Sequence, residues 1–186
     1  MAIYVVAMSA LFFLAFAFFA VGQASVSHNS AQSAADAAAL AAARESRDEA
    51  HDTLLAALKA GDVGKLGNLA QLLLGVDSGM PCVKAREFAN DNGAQAEGCT
   101  RNAGPGSYTV DVKSLKGIGK TVVRGADDIR ARAHATAEVT SRCDSRPENS
   151  GGILTFVCDG DRITFDPAAG DFTLDLSVFY AVHLTS

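Results

Sequence analysis

Residues Ala2–Val21 read AIYVVAMSALFFLAFAFFAV, and 31–45 continue as AQSAADAAALAAARE. Every residue of the first stretch except Ser9 is apolar or aromatic, and no charged side chain occurs before Asp36. Half of the ten Phe are packed into it: Phe12, Phe13, Phe16, Phe18 and Phe19. At about 1.5 Å per residue, roughly 20 residues make a helix about 30 Å long, the thickness of one bilayer core. A secretory signal has a basic start, a shorter apolar core and a cleavage site. Here no basic residue precedes a run that is too long. Two readings of Met1 follow: an uncleaved anchor, or a mature terminus exposed by removal of a short basic leader. Cleavage near Gly22–Ser25 is the lesser alternative.

The helix is expected to continue past the apolar run. Residues 23–60 contain no Pro, Ala is the best helix former, and Gly22 is the one break before them. Gly61 is the expected C-terminal stop. Such a helix, from about Ile3 to Ala60, is on the order of 85 Å long. Asn29, Gln32, Ser33 and Asp36 share one of its faces, and Arg44 is four residues from Asp48 and placed to pair with it. Two readings of the Ala-rich part are open. One is a rigid stalk. The other, preferred here, is a packing surface for copies of the chain, because small residues such as Ala38 and Ala41 let helices approach closely.

The whole chain has 186 residues, with 16 basic and 21 acidic side chains and a net charge of −5. Nucleic-acid binding wants a basic surplus, so that partner class is excluded from expectation. Beyond the helix the pattern is that of a soluble head. A helix is expected over Val63–Leu74. Another is opened by Pro81 and closed by Gly93, with Cys82, Ala85, Phe88 and Ala89 on one face. Then the period changes to two. Tyr108, Val110 and Val112 alternate with polar residues, and IRARAHATAEV (129–139) alternates throughout, although its Ala content leaves a helix as competitor. Asp159-Gly160 between 153–158 and 162–165 is a hairpin signal. Phe172 to Leu184 alternates to the C-terminus. The fold class expected is α+β: a long N-terminal α-helix, then a small disulfide-bonded head with short helices and an antiparallel β-sheet of four to six strands. The division expected is 1–22 as apolar membrane or filament-core helix, 23–61 as its Ala-rich continuation, and 62–186 as an extracytoplasmic head.

Four cysteines allow three pairings. Order and spacing favour Cys82–Cys99 and Cys143–Cys158, each closing a loop worth roughly 3 kcal/mol by chain entropy. Free thiols are the alternative. A zinc site lacks both a CxxC and a His close to any Cys. Two disulfides imply an oxidising compartment, hence a head outside the membrane.

The apolar helix running into QSAADAAALAAARE resembles the N-terminus of TadE/TadG-like proteins, from the Tad (Flp) branch of type IV pili, in an actinobacterial style. Its specific elements are the charge-free run and Gln32, Asp36 and Leu40 among Ala. PCVKAREFANDNGAQAEGC (81–99) is similar to the Cys-containing helix-to-strand unit of such proteins. The resemblance implies a pilin-like or pseudopilin-like structural subunit. Its apolar helix would sit first in the cytoplasmic membrane, with the head outside, and then pack among copies of itself in a helical filament at the cell surface. It also implies the pilus assembly machinery and a prepilin peptidase as partners. One departure is visible: processed pilins usually carry Glu at the fifth mature position, where this chain has Val5.

No catalytic, metal or cofactor constellation emerges. Gly119-Lys120-Thr121 lacks the earlier glycine of a P-loop, since Ser114 stands there. His28, His51, His134 and His183 are scattered. Asp159, Asp161 and Asp166 lack the spacing of a calcium loop. The expectation is therefore a structural protein, not an enzyme, with no cofactor. The alternative is a monomeric membrane-anchored exported protein whose β head binds an unknown partner.

Overall fold

The structure is a computed structural model, and it describes residues 2–66, 68, 78–117, 128–144, 147–169 and 173–185. Helix α1 spans Ala2–Glu49 without interruption, straight through Gly22. At Ala50 the chain tightens for one turn, its N–H bonding to Arg47 O at 3.1 Å, and α2 follows as His51–Ala60. Gly61 ends it in the left-handed conformation, with φ 60°. A short α3, Val63–Leu66, follows. The rest of the helix expected to Leu74 lies outside the described residues apart from Asn68, as does Gly119-Lys120-Thr121. Helix α4 is Met80–Asp91, with Pro81 in its first turn and Gly93 just beyond its end at φ 73°.

Seven strands follow among the described residues, in two antiparallel sheets rather than one. Strands β1 (Ala94–Arg101), β2 (Tyr108–Ser114), β3 (Arg132–Ser141) and β7 (Tyr180–Thr185) form the first, in the order β1-β2-β3-β7. Strands β4 (Glu148–Ser150), β5 (Ile153–Cys158) and β6 (Asp161–Phe165) form the second. The Asp159-Gly160 turn has φ of 52° and 91°, positive at both positions as a type I′ turn requires. Strand, not helix, is the outcome over 132–141.

The Ala of β3 finds its reason in packing. Ala135, Ala137 and Val139 are buried, and β3 lies against α1. On α1, Ala31, Ala34, Ala35, Ala38, Ala39, Ala41, Ala42 and Ala43 are buried too. Small residues on both surfaces bring helix and sheet close together, and α4 closes over the same helix with Ala85 and Ala89. The second sheet packs through rings instead. Phe156 meets Phe179 edge-on at 5.2 Å, and Phe165 stacks on Phe179 at 5.1 Å. Burial of Tyr180 beside this cluster pushes its phenol pKa up.

Three local expectations need correcting. Phe88 is 40% exposed; Pro81, Ala85 and Ala89 carry the buried face of α4 instead. Asp48 pairs with Arg47 at 2.8 Å, not with Arg44. The last strand begins only at Tyr180, because Leu176–Phe179 is one helical turn, α5. Asp175 caps it, accepting the Ser177 N–H at 2.8 Å. Hydrogen bonds from Ser177, side chain first and backbone second, hold the Asp175 pKa below its usual value. A lowered carboxylate pKa contributes stability above the unfolded value near 4 and loses it as pH falls through the folded one. Asp175→Ala should therefore lower the unfolding midpoint at pH 7, and the gap to the parent should close by about pH 2. Paired thermal melts at the two pH values measure this. A gap that is independent of pH would count against the cap.

Candidate functional site

The candidate site is a helix, not a cleft. From Ile3 to Val26 the side chains of α1 project from the head almost entirely uncovered. Phe12, Phe13, Phe16, Phe18 and Phe19 are 58–75% exposed, and Ile3 is 82% exposed. The segment contains an 18-residue window of mean hydropathy 2.4, none of it buried. It is long and apolar enough to cross a membrane. It is apolar on all sides, so it has no single face to turn toward a soluble core. Gly22 lies at the end of this segment, and a Cβ there would meet nothing within 4 Å. Its smallness therefore serves no contact within the described part of the chain.

Ala38 and Ala41 do not form the open packing face expected of them. Ala38 is 0% and Ala41 6% exposed, both under the chain's own head. The physical reason is that β3 and α4 both pack on α1 through small buried residues, Ala135 and Ala137 on the one and Ala85 and Ala89 on the other, which a reading of the helix alone does not reveal. Gln32 and Asp36 likewise act within the chain. Gln32 Nε2 donates to Asp36 Oδ1 at 2.9 Å and to His134 O at 3.2 Å, tying α1 to β3.

The cysteines pair as spacing suggested, Cys82 with Cys99 and Cys143 with Cys158. The first ties α4 to β1. The second joins the end of the first sheet to the second sheet, where Cys143 and Cys158 also form the isolated bridge between them. Flanking bonds support it: Asp144 N–H to Val157 O at 2.8 Å, Asp159 N–H to Arg142 O at 2.9 Å, and an ion pair between Arg142 and Asp159. Among the described residues no three His, Cys, Asp or Glu gather in a way that would hold a metal ion.

Residues 1–45 match the model of the putative Flp pilus-assembly TadE/G-like family. The likeness is confined to this N-terminal segment. The matched residues are the projecting apolar helix together with the Ala turns that seat it in the head. Comparison with curated proteins and with solved structures found no match. The match stops at residue 45, and the head has only its own geometry to speak for it.

Proposed function

We propose that the protein is a structural subunit, a pilin or pseudopilin, of a Tad-type pilus. The observation that carries this is the uncovered helix from Ile3 to Val26, within the TadE/G-like segment and fixed to a disulfide-bonded head. In the membrane, lipid tails cover the Phe side chains; in a filament, copies of the same helix do. Lipid is about as apolar as Phe, so the exchange gains from close packing more than from hydrophobicity. The head lies outside the membrane, where its disulfides persist. Copies of itself, the assembly machinery, a prepilin peptidase and the cytoplasmic membrane before assembly are the partners of this reading.

One observation favours the alternative of an anchored monomer: the Ala surface that best suits close helix packing is already occupied by β3 and α4. The two readings separate in one experiment. A photo-crosslinking residue is placed at Phe13 or Phe18 in cells producing the chain. Filament assembly predicts ladders of covalently joined copies, recovered with sheared surface material. Lipid adducts alone, with no self-crosslinks, identify the anchored monomer and end the filament reading.

A further inference from the structure

The end of the head nearest the apolar helix carries features the proposed function does not use. The β2–β3 connection leaves the sheet there. Its two described ends are pinned: Ser114 N–H bonds to Ala131 O at 2.8 Å, Ala131 N–H to Ser114 Oγ at 3.1 Å, Ser114 Oγ–H to Lys116 O at 2.7 Å, and Leu115 N–H to Gly93 O at 2.9 Å. This places Lys116 and Gly117 across an open groove from Phe18, Phe19, Gly22 and Val26. The rim therefore hangs beside the last turns of the apolar segment, at the level where a spanning helix leaves the hydrocarbon.

Two apolar side chains project from this rim, each followed by a basic one. Leu115 is 44% and Ile129 54% exposed, and their neighbours Lys116 and Arg130 are exposed as well. One step up the strands the charges are used within the head: Lys113 and Arg132 share Glu97 at 3.7 and 3.3 Å. Neither Lys116 nor Arg130 has a carboxylate at ion-pair distance among the described residues, and the adjacent Asp128 is exposed. Apolar side chains beside unpaired basic ones form the pattern of interfacial membrane binding. The former enter the boundary of the acyl region and the latter meet anionic headgroups.

We propose that Leu115-Lys116 and Ile129-Arg130 form a lipid-binding rim that seats the head on an anionic bilayer surface. The proposal rests on the reading of the apolar segment as membrane-spanning, and continuity with that segment selects lipid over a second protein as the occupant.

The chain has no Trp, so one introduced Trp is a clean reporter. Leu115→Trp, Ile129→Trp, Leu14→Trp and Ile153→Trp are each made in the full chain. They are reconstituted in vesicles of phosphatidylcholine with phosphatidylglycerol, using lipids brominated at shallow or at deep acyl positions. Peptide mapping confirms both disulfides in every variant. The expected result is blue-shifted emission at 115 and 129, quenched by shallow bromines. Position 14 should be quenched by deep bromines, and position 153, at the far hairpin, should emit as if in water. Adding Lys116→Glu with Arg130→Glu should remove most of the quenching at 115. Pure phosphatidylcholine should do the same. Water-like emission at 115 and 129 while position 14 is quenched overturns the rim and leaves the anchor intact. Loss of quenching at position 14 overturns the anchor itself. Quenching that ignores charge reversal and lipid charge, or that appears only at high protein density, also overturns the proposal, the latter in favour of a second copy.

Discussion

Ala38→Leu will melt the head at a lower temperature than the parent chain, while Ser33→Leu on the same helix will not. Both keep α1, since Leu is nearly as good a helix former as Ala. Ala38 is 0% exposed under the head, whereas Ser33 faces solvent. Three extra heavy atoms have no space between two Ala-lined surfaces. Overpacking of this kind costs about 1–3 kcal/mol, which lowers the midpoint by several degrees in a domain of this size. Thermal unfolding of the full chain in detergent, followed by limited proteolysis of the head, reads the difference. Equal midpoints for the two variants would disprove the close packing of the head on α1. The result also governs how assembly mutants are interpreted. A filament lost through Ala38→Leu or Ala41→Leu reports a damaged head, not a blocked contact between copies. Probes of assembly belong on the uncovered segment before Ser27.

Replacing Cys143 and Cys158 together by Ala is expected to cost about 3 kcal/mol by loop entropy alone, for a separation of 15 residues. The true loss should exceed that of Cys82→Ala with Cys99→Ala, whose separation is 17. The entropy terms are nearly equal, so the contrast comes from position. Cys143 and Cys158 are buried and bridge two sheets that share no other described ladder. The α4–β1 link is backed by buried Pro81, Ala85 and Ala89. Denaturant midpoints of the two double variants test the order. A larger loss from the Cys82–Cys99 pair would mean that the second sheet stands without its tether.

How far the fold was legible depended on whether its cause was local. The Asp159-Gly160 turn was readable because both positions need positive φ and the flanking residues alternate. The disulfides followed from order and spacing. The partner of the Ala-rich helix was not readable, because helical spacing shows that a face is small without showing what covers it. The covering surface lies far along the chain, in Ala85 and Ala89 of α4 and in the alternating Ala of β3. The break at Leu176–Phe179 was hidden for a different reason. Leu174, Leu176 and Val178 satisfy period two, while the cap that overrides it is a single Asp–Ser pair. Of the expected site residues, the Phe cluster and Gly22 lie on the uncovered helix, whereas Gln32, Asp36, Ala38 and Ala41 serve the head's own attachment.

The unbroken passage of α1 through Gly22 makes the protein a lever. With no hinge between the apolar segment and the head, the two share one axis and turn together. About 27 residues separate Gly22 from the end of α1, roughly 40 Å of helix. A tilt of about 20°, ordinary for a membrane helix, then swings the far end sideways by about 14 Å. Rotation of the helix about its own axis likewise sets the compass bearing of both sheets. Any machine that grips or turns the apolar segment therefore steers the head without touching it.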